Sequence, residues 1–288
     1  MISNLAFADV NFFLALPYEV TLDTPFQPFQ TDCTKKDISV QYHEVELLPQ
    51  ISSRVIHRDV CFAVYDADSI RTRSFYDPVT KDRIAVVEHN RQMARIDVYL
   101  RKGKWGKSAS IRTLFNLLPI EDILLRKDRF KFHASAVSSP YGAVLFAGPS
   151  GVGKSTQAEL WKRLEGSVIL NGDQPILGKR SNVWHVYGSP YAGSSSIYLN
   201  VCKPVTAIVM LEQGEECRIA KLSIKNSFVR LYANAFMNVW DQEYVHKMCE
   251  LLSELSAQVP VFHMVCTPDK NAVEMLKSAL KQECGDGI

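Results

Sequence analysis

Charge of a single sign is missing from this chain. Its 33 Lys+Arg and 31 Asp+Glu leave a formal net charge of +2 over 288 residues, so no global field points to a nucleic-acid partner. No uninterrupted apolar stretch is long enough to cross a bilayer, which argues against a membrane span. The N-terminus carries an apolar run from Phe12 to Leu16 but no preceding Lys or Arg and no small-residue cleavage site, so no signal peptide is expected. The seven cysteines (Cys33, Cys61, Cys202, Cys217, Cys249, Cys266 and Cys284) are odd in number and scattered. They show no CxxC and no Cys/His ligand spacing, which excludes a recognisable zinc motif and fits a reduced, cytoplasmic protein. Internal repeats and low-complexity tracts are also absent. What remains is ordinary globular usage, 47% hydrophobic, 10% aromatic and 22% charged, which excludes disorder, collagen and coiled coil. The length allows one large domain or two of ordinary size.

Patterning divides the chain near residue 107. Up to there, short segments rich in β-branched and aromatic residues recur at 38–47, 60–65, 83–88 and 94–100. Asp77-Pro78 and Lys102-Gly103-Lys104 punctuate turns. This half reads as an antiparallel sheet. The basic residues Arg101, Lys102, Lys104, Lys107 and Arg112 around Trp105 read as a solvated hairpin end rather than a binding patch. From Ser108 the period changes to helical, with Ile111, Leu114, Phe115, Leu117 and Leu118 on one face. The expected organisation is a β-rich N-terminal domain, 1–107, and a second domain, 108–288. In the second, strands are expected at 132–138, 143–147, 168–170, 205–211 and 261–266. Helices are expected at 154–164, 224–234, 241–258 and 269–281.

One motif carries chemistry. Gly148-Pro149-Ser150-Gly151-Val152-Gly153-Lys154-Ser155 matches G-x-x-x-x-G-K-[ST] at every specified position, between an apolar strand and a helix-competent stretch opening with Thr156. Such a string should arise by accident in roughly one chain of this length in a hundred. The chemistry needs these residue types. Glycines let successive N–H groups turn toward phosphate oxygens, and the helix N-terminus adds partial positive charge. Gly148, Ser150, Gly151, Val152, Gly153, Lys154, Ser155 and Thr156 are therefore the candidate nucleotide-binding residues. Lys154 would reach the β/γ-phosphates, and the Ser155 hydroxyl would ligate Mg²⁺. A metal carboxylate is still needed. Asp173, closing the next apolar segment, is the candidate, although Asn171-Gly172-Asp173 is also strong turn chemistry. Glu212, at the end of Ala207-Ile208-Val209-Met210-Leu211-Glu212, competes for the role. His133, on the strand before the loop strand, is either a satisfied structural residue or a group at the site.

With these elements in order, residues 130–200 resemble the catalytic domain of HPr kinase/phosphorylase and its wider kinase relatives, including those associated with peptide modification. Phosphoenolpyruvate carboxykinase shares that fold group. The resemblance rests on His133 in Phe132-His133-Ala134-Ser135-Ala136-Val137, on the loop 148–156, and on the acidic turn Asn171-Gly172-Asp173-Gln174-Pro175-Ile176-Leu177. It covers roughly the C-terminal 60% of the chain, loosely after residue 200. It implies an α+β or α/β chain whose second domain is a compact, mixed-sheet P-loop kinase domain. It also implies ATP- and Mg²⁺-dependent phosphorylation of a serine-type hydroxyl on a peptide or small protein; acceptor recognition is a candidate role for the N-terminal domain, which the resemblance does not cover. Two positions depart from the family. Its acidic turn usually carries paired aspartates, where this chain has Gly172-Asp173, so Asp173 inherits the metal-side role and His133 becomes the first candidate for general base. The glycine-rich signature preceding the phosphorylase region is replaced by residues 187–198, in which Tyr191, Tyr198 and Ser194 to Ser196 are available to a ligand. A nucleotide-binding regulatory or scaffold protein without phosphotransfer, and a small-molecule kinase, are the competing expectations. The oligomeric state, a homo-oligomer included, is left open by the sequence.

Overall fold

The computed structural model describes residues 2–67, 69–105 and 109–284, with the backbone alone for Ser194 and Cys284. Lys107 and the expected boundary at 107/108 lie outside the described residues. The chain forms two compact units, 1–123 and 124–288. The helical stretch after Ala109 thus belongs with the first unit, because its apolar face is buried there.

The first unit opens with β1 (Ile2–Phe7) and β2 (Val10–Ala15), a hairpin whose two-residue turn puts Ala8 and Asp9 at φ 51° and 53°. That is the type I′ geometry whose twist suits adjacent antiparallel strands. A 3-10 turn at Thr24–Phe29 leads to β3 (Ile38–Val45). There follow β4 (Arg54–Arg58), β5 (Phe62–Asp66), β6 (Ile70–Tyr76), β7 (Arg83–Asn90) and β8 (Arg95–Arg101). The sheet order is β1-β2-β3-β8-β7-β6-β5-β4. It is mixed, which corrects the antiparallel reading: β2 with β3 and β3 with β8 are parallel pairs. Four successive antiparallel pairings from β4 to β8 return β8 to the direction of β4, and β8 closes the meander by pairing parallel to β3.

One face of this sheet is closed by aromatic rings. Phe115 ends α1 (Ile111–Phe115), a helix capped by Ser110, whose hydroxyl accepts from Thr113 N while Thr113 Oγ1 accepts from Ser110 N. The Phe115 ring centroid lies 5.8, 5.0 and 5.4 Å from those of Phe7, Phe12 and Phe26. Tyr42 Oη donates to Leu114 O at 3.1 Å, and burial pushes its phenol pKa up. Arg73 on β6 forms a buried ion pair with Asp122, on α2 (Ile120–Leu125). The basic hairpin end is paired with acids: Lys102 with Glu46 at 2.5 Å and Lys104 with Asp82 at 2.9 Å. The Trp105 indole N–H donates to Ile84 O.

The second unit contains β9 (Arg129–Lys131), β10 (Ala134–Ser139), β11 (Gly142–Ala147), α3 (Lys154–Glu165) and β12 (Val168–Asn171). Next come β13 (Ile176–Arg180), β14 (Val183–Tyr187), β15 (Cys202–Gln213) and β16 (Arg218–Lys221). It ends with α4 (Ile224–Asn234), α5 (Gln242–Gln258), β17 (Val261–Cys266) and α6 (Lys270–Cys284). The sheet is mixed and curls at β15. Residues 202–204 of that strand pair antiparallel with β14, while its later residues pair parallel with β11 and β17. β11 is buried on both faces, which explains its unbroken apolar run. Ala143, Leu145 and Ala147 face the cluster that contains Leu231 and the Tyr244, Met248, Leu251, Leu252 and Leu255 stripe of α5. Val144 and Phe146 face the opposite cluster, with Trp161 of α3 and Val273, Leu276 and Leu280 of α6. No helix among the described residues is long and apolar enough to cross a membrane.

Phe115 gives a direct check on the first unit. Phe115→Ala removes a fully buried ring touching three others, so chemical denaturation should show that unit destabilised by about 3–5 kcal/mol, with the transition of the second unit unmoved.

Candidate active site

Strand pairing assembles the site. β10 lies between β11 and β12 and runs antiparallel to both, with Ala134 opposite Ala147 and Ala136 opposite Asn171. The start of β10 and the ends of β11 and β12 therefore meet at one end of the sheet. His133, the loop 148–153 and Gly172-Asp173 are the residues immediately beyond those three strand ends. Backbone bonds lock the arrangement: Ala134 N–H donates to Asp173 O at 3.0 Å and His133 N–H to Asn234 O at 2.8 Å.

The loop passes directly into α3, whose N-cap is Gly153 at φ 104°, a conformation a side chain would strain. No side chain caps the helix, so its first-turn N–H groups and its positive dipole end are available to an anion. Lys154 is buried, and its Nζ donates to Gly148 O and Pro149 O at 3.0 and 3.1 Å. Burial holds the Lys154 ammonium below its usual range, partly countered by the Asp173 carboxylate.

A cavity of about 360 Å³ collects the expected groups: His133, Ser150, Gly151, Gly153, Lys154, Ser155, Thr156 and Asp173, joined by Gly172 and Gly193. His133 Nε2 lies 3.4 Å from Asp173 Oδ1, while Gln174 Nε2 donates to Asp173 Oδ2. The imidazole pKa is lowered, first by burial and then by the nearby Lys154 charge, with Asp173 pulling the other way. The oxygen donors of Ser155 and Asp173 border one cavity, and oxygen is the chemistry a hard cation such as Mg²⁺ takes. Among the described residues no three His, Cys, Asp or Glu side chains converge into a metal-binding group. Glu212 does not line the cavity; its Oε2 is 2.8 Å from His263 Nε2. Of the loop residues expected at the site, Val152 belongs instead to a second cavity on the other side, and Gly148 lines neither.

Sequence reasoning missed Asn171 as the organiser of the site. Fully buried, it accepts from Asp173 N and Gln174 N at 3.0 and 2.9 Å through Oδ1. Its Nδ2 donates to Ser189 O, Ser189 Oγ and Tyr191 O. One side chain thus shapes the acidic turn and fastens the 187–198 segment to it. Burial cannot be read from an Asn in a turn-like tripeptide, so the only signal was its place at a strand end. The segment itself approaches the turn closely. A Cβ at Gly172 would lie 2.0 Å from Ser195 Oγ and one at Gly193 2.9 Å from the Asp173 carboxyl. Ser195 Oγ donates to Ala192 O at 2.6 Å. Tyr198 reaches the same place through a backbone bridge with Asn171, and the Ser194 side chain lies outside the described residues.

No family model and no curated protein matches the chain. Among solved structures, an Hpr(Ser) kinase/phosphatase from Coxiella burnetii shows a distant likeness. It covers 53% of this chain and 88% of its own, at 16% sequence identity and a TM-score of 0.32.

The charges around His133 set a titration that NMR of the imidazole C–H resonances can follow. Its pKa should lie below the ordinary histidine value of about 6.5. Lys154→Met removes a like charge and should raise it, whereas Asp173→Asn removes the stabilising anion and should lower it further.

Proposed function

We propose that this protein is an ATP- and Mg²⁺-dependent kinase that phosphorylates a serine-type hydroxyl of a peptide or small protein. The observation that carries this reading is the convergence, in one cavity, of the G-x-x-x-x-G-K-S loop, Asp173 and His133. Phosphoryl transfer asks a protein mainly to position its reactants and stabilise charge, so a set this small is sufficient.

Each group then has a role set by its chemistry. Loop N–H groups and the N-terminus of α3 receive the phosphates. Lys154, held over the loop by two carbonyls, passes its ammonium to the β/γ-phosphate oxygens. Ser155 Oγ and the Asp173 carboxylate would hold Mg²⁺, which would supply positive charge against the phosphates. His133, with its lowered pKa, is neutral near pH 7 and can accept a proton. In the transfer the acceptor oxygen bonds to the γ-phosphorus, the bond from that phosphorus to the bridging oxygen breaks with ADP as leaving group, and the hydroxyl proton passes to the imidazole.

A second reading is favoured by Gly172. The space a side chain there would fill is taken by Ser195, so a second carboxylate beside Asp173 cannot be accommodated without moving that segment. A protein that binds ATP as a regulatory signal without transferring phosphate is compatible with that geometry.

Two measurements test these readings. Calorimetry on the folded variant should show ATP affinity falling by about tenfold or more in Lys154→Ala; unchanged affinity would defeat both readings. Asp173→Asn should lower Mg²⁺-dependent turnover far more than it lowers the melting temperature.

Turnover against a panel of serine peptides separates kinase from binder. In the kinase, His133→Gln should cost about 10²–10⁴-fold. The wild-type rate should rise with pH on an acid limb below about 6.5, because only the neutral imidazole accepts a proton. ATP binding without turnover would leave the regulatory reading standing.

A further inference from the structure

The loop 214–217 carries the chain from the end of β15, past the end of β17, into β16. β16 pairs antiparallel with β17, with Arg218 opposite Val265 and Lys221 opposite Phe262. The same register sets Leu222 opposite Val261, where Leu222 N–H donates to Val261 O at 2.8 Å. In the other direction it would set Cys217 opposite Cys266. Hydrogen-bonded and non-hydrogen-bonded pairs alternate along such a ladder. Extended one residue past its last paired positions, Arg218 and Val265, and counted five steps from the bonded pair at Leu222, this ladder would set the two cysteines at a non-hydrogen-bonded position. There Cα atoms approach to about 4.5 Å with side chains on one face, within the separation of about 4.4–6.8 Å that a disulfide bridges.

Contacts of the sulfurs agree with that placement. Cys266 Sγ accepts from Gln157 Nε2 of α3 at 3.3 Å, and Cys217 Sγ lies 3.6 Å from Thr267 Oγ1, on the residue next to Cys266. Both thiols are free. Cys217 is half-buried, and Cys266, itself buried, borders a cavity of about 250 Å³ whose wall includes Gly151 and Thr156. Burial, with Cys217 adding to it, pushes the Cys266 thiol up to about 11, which keeps that sulfur protonated and quiescent at rest.

We propose that Cys217 and Cys266 are a reversible redox modification site, oxidised to an intramolecular disulfide by a small-molecule disulfide. The more accessible Cys217, as thiolate, attacks one sulfur of the reagent R–S–S–R. A mixed disulfide forms and one R–SH leaves with a proton. Cys266 then gives up its proton and attacks the Cys217 sulfur, displacing the second R–SH. Two protein thiols are oxidised to one disulfide, and one reagent disulfide is reduced to two thiols. The new bond lies in the wall of the cavity beside the loop and competes with Gln157 for the Cys266 sulfur.

The test treats the folded 288-residue chain with glutathione disulfide, alkylates the remaining thiols, and maps peptides by mass spectrometry without reduction. The expected product is a peptide pair joined through Cys217 and Cys266 that dithiothreitol separates. In Cys217→Ser the joined pair should be lost while exposed Cys33 and Cys61 take up glutathione as before. Recovery of Cys217 as a glutathione adduct beside an alkylated, unlinked Cys266, or of both cysteines as alkylated thiols, would overturn the proposal.

Discussion

The arrangement on which the candidate site depends is the antiparallel placement of β10 between β11 and β12. A strand running against two neighbours brings its own start together with both of their ends. Three separate segments thereby deliver a histidine, a glycine-rich loop and an acidic turn to one place. The burial of β11 on both faces, under α3 and α6 on one side and α5 on the other, makes that end of the sheet rigid. A site built just past rigid strand ends inherits their precision.

Asn171 converts this coarse convergence into a defined turn. Its carboxamide is a complete account of its own hydrogen bonding, with Oδ1 taking two backbone donors and Nδ2 spread over three acceptors. A buried amide left unsatisfied is costly, so such a network specifies one geometry. The consequence reaches the chemistry, since the same turn sets Asp173 opposite His133 and brings Ser195 against Gly172. The glycine is therefore a steric requirement of this packing.

Much of the architecture was legible because the relevant segments are strongly patterned. β3, β7, β8, β10, β11, β15 and β17 carry β-branched or continuous apolar runs, and α3 to α6 carry apolar stripes at helical spacing, so each announces its type. β1 and β2 did not, since the turn between them is Ala8-Asp9, not the Asn-Gly or Asp-Gly that marks a two-residue hairpin. β13 and β14 escaped for the same reason, with Ser181 and Asn182 at φ 50° and 63°. The four-residue β16 is too short to show a period at all.

By itself the sequence determined the glycine-rich loop as a strand-to-helix connection, with the strand before it and the helix after it, because those features depend on residues adjacent in the chain and on local backbone geometry. It also narrowed the candidate partners of the loop to His133, Asp173 and Glu212. Only the tertiary structure showed which of them border one cavity with the loop. Which carboxylate shares a cavity with Lys154 depends on strand order, and β12 ends at that cavity while the end of β15 brings Glu212 to His263. The parallel pairs in the first sheet, the burial of Asn171, the space taken by Ser195 and the packing of Cys217 against the cluster that holds Cys266 likewise come from long-range pairing. No local period or spacing encodes such pairing, because the energy that selects it is the burial of surfaces from distant segments against one another.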